Sequence, residues 1–232
     1  MNMDAVRVAF LIYPNVTQLD FTGPAQVLSR LGNAHLDFVW RDLAPVQTDS
    51  GFAIVPTATF ADITRADIIC IPGGFGCVDV MEDEEALDWI RKVAADARWV
   101  TSVCTGSLIL GAAGLLEGYR ATTHWNWHAF LPLFGAEPVQ ARVVFDRNRV
   151  TGGGVTAGID FALALTAAIR GEDHAKGVQL ALEYDPRPPF DAGSPASAGA
   201  ALAEGVRDRT RRLAPDRETR VRAIAGRRPA NG

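Results

Sequence analysis

The run WVTSVCTGSLILGAAGLL, residues 99–116, sets a lone cysteine where an apolar, β-branched segment gives way to helical spacing. In an open α/β sheet, sites form at the carboxyl ends of strands, and Cys104 occupies such an end. Thr105, Gly106 and Ser107 follow it, and Gly106 leaves space for the incoming helix. This is the form of a nucleophile elbow, a strained strand-to-helix turn that pushes one side chain out of the sheet. Amides at the start of the next helix point at the sulfur and favour thiolate over thiol. The chemistry is then covalent catalysis by sulfur. Free cysteines commonly fill buried gaps, but the elbow context argues against that plainer role for Cys104. Cys70, within IICIPGG, fits it well, and Cys77, in GGFGC, has nothing nearby to activate it.

A sulfur nucleophile needs a proton-handling partner and an anion hole. None of the four histidines adjoins Cys104; His124, in ATTHWNW, is either a base or a polar residue tied to backbone. Asp20, in TQLDFTGP, directly follows the first strand and precedes a helix. It reads either as a turn or cap aspartate or as a carboxyl partly buried between Leu19 and Phe21. Burial raises a carboxyl toward the range of a general acid. For the anion hole, Gly73, Gly74 and Thr105 offer backbone N–H groups. TGGGVTAG, from Thr151 to Gly158, lacks a P-loop lysine and the dinucleotide spacing. It reads as backbone lining a tight pocket or as simple helix packing.

The elements that must position these residues alternate. VRVAFLIYP, HLDFVWRDL, ADIICIPGG and WVTSV read as buried strands, GFAIVPTATF as an extended piece, and ARVVFDRNRVTGGG as a hairpin with a polar turn. Gly23-Pro24 marks a helix start with Gly32 as its stop. EDEEALDWIRKVAADA is an amphipathic helix with Leu87, Ile90 and Ala94 on one stripe. YRATTHWNWHAFLPLFG is a short strand into a short helix, and two further helices follow to residue 184. DPRPPFDAGSPASAG then breaks regular structure, the last segment is helical with a break at Pro215, and RRPANG is frayed. The pattern predicts βαβ units and a mostly parallel sheet. Residues 1–195 form this α/β domain and residues 196–232 a helical extension with a basic tail.

The 232 residues are 48% hydrophobic, enough for one sizeable core without disulfide staples. No apolar run is long enough to span a bilayer, and the N-terminus reads as a first strand rather than a signal peptide. Three cysteines are an odd count without metal-ligand spacing, and the cytoplasm is the default location. Residues 207–228 hold nine Arg against three acids, so a net charge of −4 hides about −10 elsewhere. That stretch is a solvated helix face laced with ion pairs rather than a nucleic-acid surface.

FLIYPNVTQLDFTGPAQVL, IPGG, SVCTGSLILGAAGLL, RATTHW and TGGGVTAGID together resemble the ThiJ/PfpI superfamily of class I glutamine-amidotransferase-like folds, over most of residues 6–170. Within it, the cysteine segment and the proline-rich LEYDPRPPFDAGSP resemble the isocyanide hydratases. The resemblance implies a flavodoxin-like sheet sandwiched by helices, a homodimer, an isocyanide substrate, and no metal or organic cofactor. It implies Cys104 as nucleophile, Asp20 as its carboxylate partner, Thr105 beside it, and Gly153 and Val155 near the pocket. Intracellular-protease-like members carry His directly after the cysteine, where this chain has Thr105, which weakens a peptidase or amidotransferase reading. A glyoxal-directed branch carries Glu where this chain has the shorter Asp20. Sensing domains of AraC-type regulators share similar elements and continue into a helix-turn-helix pair, for which about sixty Pro- and Arg-rich residues leave too little room.

Overall fold

The computed structural model describes residues 5–227. Strands alternate with helices from the start: β1 (Val6–Leu11), α1 (Leu19–Leu28), β2 (Ala34–Trp40), then the short β3 (Val46–Gln47), β4 (Ala53–Ile54) and β5 (Ala58–Thr59). Next come β6 (Ile68–Ile71), α2 (Cys77–Met81), α3 (Glu84–Asp96), β7 (Trp99–Val103) and α4 (Gly106–Ala112). β8 (Arg120–Ala121) leads into a 3-10 segment (Trp125–Phe134), followed by β9 (Glu137–Pro138), β10 (Val143–Asp146), β11 (Arg149–Gly152), α5 (Ala157–Arg170) and α6 (Glu172–Ala181). α7 (Pro195–Ala198), α8 (Ala200–Leu213) and α9 (Arg217–Arg227) close the described chain.

The main sheet has seven strands in the order β10-β11-β7-β6-β1-β2-β5. Every pairing is parallel except the β10–β11 hairpin. β6 is buried at every position, as a strand covered on both faces must be. Helices α1, α5 and α6 pack together, and α2, α3 and α4 form a second group, so the sheet lies between helical layers. The anticipated stripe of α3 is buried, and Asp83 caps the helix by accepting from the Ala86 N–H.

Two elements differ from the sequence reading: α1 ends at Leu28, short of Gly32, with its start displaced as well, and α7 forms inside the proline-rich segment expected to break regular structure. α1 begins at Leu19, not at Gly23-Pro24. Pro24 lies inside the helix, where it forgoes one intrahelical bond. The early start is secured by the Thr22 N–H on the Gln18 carbonyl, 2.9 Å, and it puts Asp20 in the first turn instead of before the helix. The segment after His124 is a 3-10 helix with Pro132 inside it.

The C-terminal helices are tied to the rest. Val221 and Ile224 of α9 join the hydrophobic core. Arg207, Arg217 and Arg222 lie over the rings of Trp125, Trp127 and Phe130. Arg211 pairs with Glu204 and Asp208 of its own helix, while Arg220 reaches Asp79 and Glu82. Residues 228–232, most of the segment anticipated to fray, lie outside the described residues. No helix among the described residues is long and apolar enough to cross a membrane.

Candidate active site

The elbow is built from three constraints. Cys104 has φ 55°, the left-handed region that a non-glycine residue occupies only at a cost of about 1–3 kcal/mol. The Cys104 N–H is held by the carbonyls of Gly152, 3.1 Å, and Gly153, 2.7 Å. Its own carbonyl accepts from the Thr123 hydroxyl at 2.7 Å. A Cβ on Gly106 would fall 2.0 Å from the Ile71 carbonyl oxygen, so only glycine lets α4 begin this close to the end of β6. The strain at Cys104 is thus supported on both sides of the residue.

Asp20 comes to the same place from β1. It is fully buried. Its Oδ2 accepts the Gly73 N–H at 2.9 Å, and the next N–H, of Gly74, donates to Thr105 Oγ1 at 3.0 Å. The carbonyl of Gly73 accepts from the Thr17 N–H, 3.0 Å. A Cβ on Gly73 would stand 2.5 Å from Thr105 Oγ1 and 2.9 Å from Asp20 Oδ2, so the two oxygens crowd onto the bare face of that glycine. The N–H groups of Gly73 and Gly74, anticipated as anion-hole donors, are therefore already engaged: they hold the acid and the threonine in place.

The Cys104 thiol lies within hydrogen-bonding range of the Asp20 carboxyl, and each acts on the other's ionisation. Asp20 Oδ1 itself has no hydrogen-bond partner in its buried surroundings. Burial pushes Asp20 up to about 7, against the opposing pull of the Gly73 N–H and the thiol. Burial also raises the Cys104 thiol well above its ordinary value, and the nearby Asp20 charge adds to it. The Thr105 N–H pulls it down, as the elbow reading requires, but does not outweigh the loss of water. The pull toward thiolate expected from the helix start is thus present, and burial opposes it.

Gly153 and Val155 line a cavity of about 820 Å³ together with Thr123, His124, Trp125, Arg142, Ser194 and Arg207 among others. Cys104 does not line that space; it adjoins it through its bonds to Gly153 and Thr123. In the Gly-rich turn, Gly153 and Gly154 line this cavity, and Gly158 brings α5 against Pro24 of α1. His124 accepts the Asn126 N–H through Nδ1 at the start of the 3-10 segment. Burial, and then the Arg217 charge, push it down to about 4, so it is neutral and tied to backbone. Cys70 and Cys77 are buried, with thiols raised by burial to about 12 and about 11. Sequence reasoning passed over Tyr13, Thr123 and Arg217. Their roles depend on partners distant in the chain, and no local motif marks them.

A mostly parallel α/β sheet that presents a strained cysteine at a strand-to-helix elbow, with a buried carboxyl facing it, defines a class of single-cysteine sites on a flavodoxin-like frame. The chain belongs to the DJ-1/PfpI family, whose pattern it matches over residues 6–168. It is 56% identical over 205 residues to the isonitrile hydratase of Pseudomonas putida, covering 88% of this chain and 90% of that one. It is 29% identical to the HTH-type transcriptional regulator CdhR of Pseudomonas aeruginosa, over 75% of this chain and 52% of the regulator. The crystal structure of a ThiJ/PfpI family protein from Pseudomonas syringae superposes with a TM-score of 0.89 at 44% identity, over 97% of this chain and 92% of that one.

Proposed function

We propose that this protein is an isocyanide hydratase, converting an isocyanide and water into an N-substituted formamide, with Cys104 as nucleophile and Asp20 as proton carrier. The observation that carries the reading is the buried carboxyl on the elbow sulfur, in a chain 56% identical to an isonitrile hydratase. Each group acts on the other's ionisation. The reactive form of the pair carries a single proton, shared between sulfur and carboxyl, and prevails above about pH 7 once Asp20 has ionised.

An isocyanide carbon accepts a nucleophile and then a proton. The Cys104 sulfur forms a bond to that carbon while its own proton passes to Asp20 and on to the same carbon, leaving a thioimidate, R–N=CH–S–Cys, and an ionised Asp20. Asp20 next removes a proton from water. The oxygen adds to the carbon, the C=N electron pair moves to nitrogen, and nitrogen takes that proton. Loss of the hydroxyl proton to Asp20 and cleavage of the C–S bond release the formamide, and the proton returns to sulfur. One carboxyl acting as acid and as base leaves no task for His124. Thr105, fixed by Gly74 beside Asp20, positions the water, and Gly153 and Val155 border the substrate space.

This reading takes the chain as a cytoplasmic homodimer, consistent with thiols that must stay reduced and with exposed Leu180, Phe190, Leu202 and Leu213 on and near the C-terminal helices. Sedimentation equilibrium tests it: a dimer is expected, and a monomer at micromolar concentration overturns it. For the reaction, the protein is incubated with an alkyl isocyanide and, separately, with methylglyoxal. Formamide is the expected product. Lactate without formamide moves the protein to the glyoxalase class, and neither product, with tight binding of a metabolite, moves it to the sensors.

A further inference from the structure

Tyr13 follows β1 and is fully buried, yet it carries a hydroxyl that the reaction above does not use. That hydroxyl donates to the Pro72 carbonyl oxygen at 2.9 Å. The Pro72 carbonyl and the Gly73 N–H belong to one peptide group, and this N–H donates to Asp20 Oδ2 at 2.9 Å. Hydrogen bonds in such a chain polarise one another, so a donor on the carbonyl makes the N–H at the other end a stronger donor. A strong donor favours the ionised carboxyl.

We infer that Tyr13 is a positioning residue for Asp20, acting through the Pro72–Gly73 peptide group, which its hydroxyl orients and polarises. The ring fits this role. A Cβ on Gly76 would stand 3.2 Å from Tyr13 Cδ2 and 2.0 Å from the Pro14 carbonyl oxygen, so the loop after β6 is pressed onto the tyrosine and leaves the peptide little freedom to turn. The Thr17 N–H bonds the next carbonyl, of Gly73, and fixes the other side of the same glycine. The groups that face Asp20 are Tyr13, Cys70 of β6, Cys104 of the elbow, and Asp49 of the turn between β3 and β4. Removing the Tyr13 hydroxyl leaves Cys70, Cys104 and Asp49 in place, so the change at Asp20 reads the loss of that hydroxyl and of its bond to the Pro72 carbonyl.

This inference deepens the hydratase reading and rests on it for its meaning in catalysis, while its primary test does not need activity. The Asp20 carboxyl is titrated by 13C NMR in aspartate-labelled protein, with Asp20→Asn to identify the resonance. Tyr13→Phe is expected to raise its midpoint by about half a unit and to move the acid limb of the formamide-forming kcat/KM profile upward with it, leaving KM unchanged. Thr101→Val is the control. It removes another buried hydroxyl-to-carbonyl bond, to Ile69 at 3.0 Å, and is expected to leave the midpoint in place. Replacement of Tyr13 by 3,5-difluorotyrosine, a stronger donor that keeps the hydroxyl, is expected to lower the midpoint and serves if Tyr13→Phe does not fold. An Asp20 midpoint unmoved in a folded Tyr13→Phe protein, or unmoved by fluorination, overturns the inference. A shifted midpoint in a protein that hydrates no isocyanide upholds the relay and removes the hydratase reading instead.

Discussion

The Asp20 carboxyl and the Cys104 thiol face each other although β6 runs between the two strands that lead to them. Asp20 rides on the first turn of α1 after β1, and Cys104 closes β7. The segment after β6 supplies the piece between: Gly73 has no side chain, so the Asp20 carboxyl and the Thr105 hydroxyl crowd together over its backbone. Burial is the common cause of both unusual ionisations, and it makes each group depend on the other for its charge.

Cys104→Ala is expected to remove formamide production to background, at least about a thousandfold, with the far-ultraviolet circular dichroism unchanged. Asp20→Asn keeps the shape and loses the proton carrier, so a loss of about a hundredfold or more is expected. Full turnover by the asparagine variant in a coupled assay would remove Asp20 from the mechanism.

Stability should depend on pH through Asp20. Its folded midpoint, about 7, lies above the ordinary 3.8. Between these values the folded chain holds a proton that the unfolded chain has released, so stability falls as pH rises through that window and levels off above about 7. The slope is roughly 1.4 kcal/mol per unit at most. Urea titrations from pH 4 to 8 should show this decline in the wild type and a flatter line in Asp20→Asn. Equal slopes in the two proteins would contradict the burial account.

Gly106→Ala should be among the most damaging single-methyl additions, because its Cβ meets a backbone carbonyl 2.0 Å away. A loss of about 3 kcal/mol or more is expected, with activity falling as the elbow shifts. Gly177→Ala in α6 meets nothing within 4 Å and should stabilise by about 0.5–1 kcal/mol. Thermal melts of the two variants compare the same chemical change in tight and open surroundings.

Arg217→Ala removes a guanidinium that lies 3.7 Å from the Trp127 ring centroid. The expected loss is about 1 kcal/mol. Because the Arg217 charge also depresses His124, the variant should titrate His124 at higher pH, observable by proton NMR. An unchanged His124 midpoint would mean that its depression comes from burial alone.

The elbow was legible because its signals are local. A β-branched run, one cysteine, Thr-Gly-Ser and a helical period lie within eighteen consecutive residues, and their chemistry depends on neighbours in the chain. The alternation of strands and helices specified a mostly parallel sheet for the same reason, since hydrophobic period and turn residues act over short spans. Asp20 was marked as a candidate by its place after the first strand. Its burial and its midpoint were decided only when the segment after β6 brought the Gly73 N–H onto its carboxyl. The start of α1 was misplaced because Gly-Pro is a strong local signal, and packing of α1 on α5 together with the Thr22–Gln18 bond overrode it. The donors expected at Gly73 and Gly74 were diverted because unpaired carboxyl and hydroxyl oxygens stood nearer than any substrate. The sulfur's proton was the last matter left to the fold. A helix start next in sequence argues for thiolate, but desolvation is set by every element that closes over the site, and it pushes the thiol the other way.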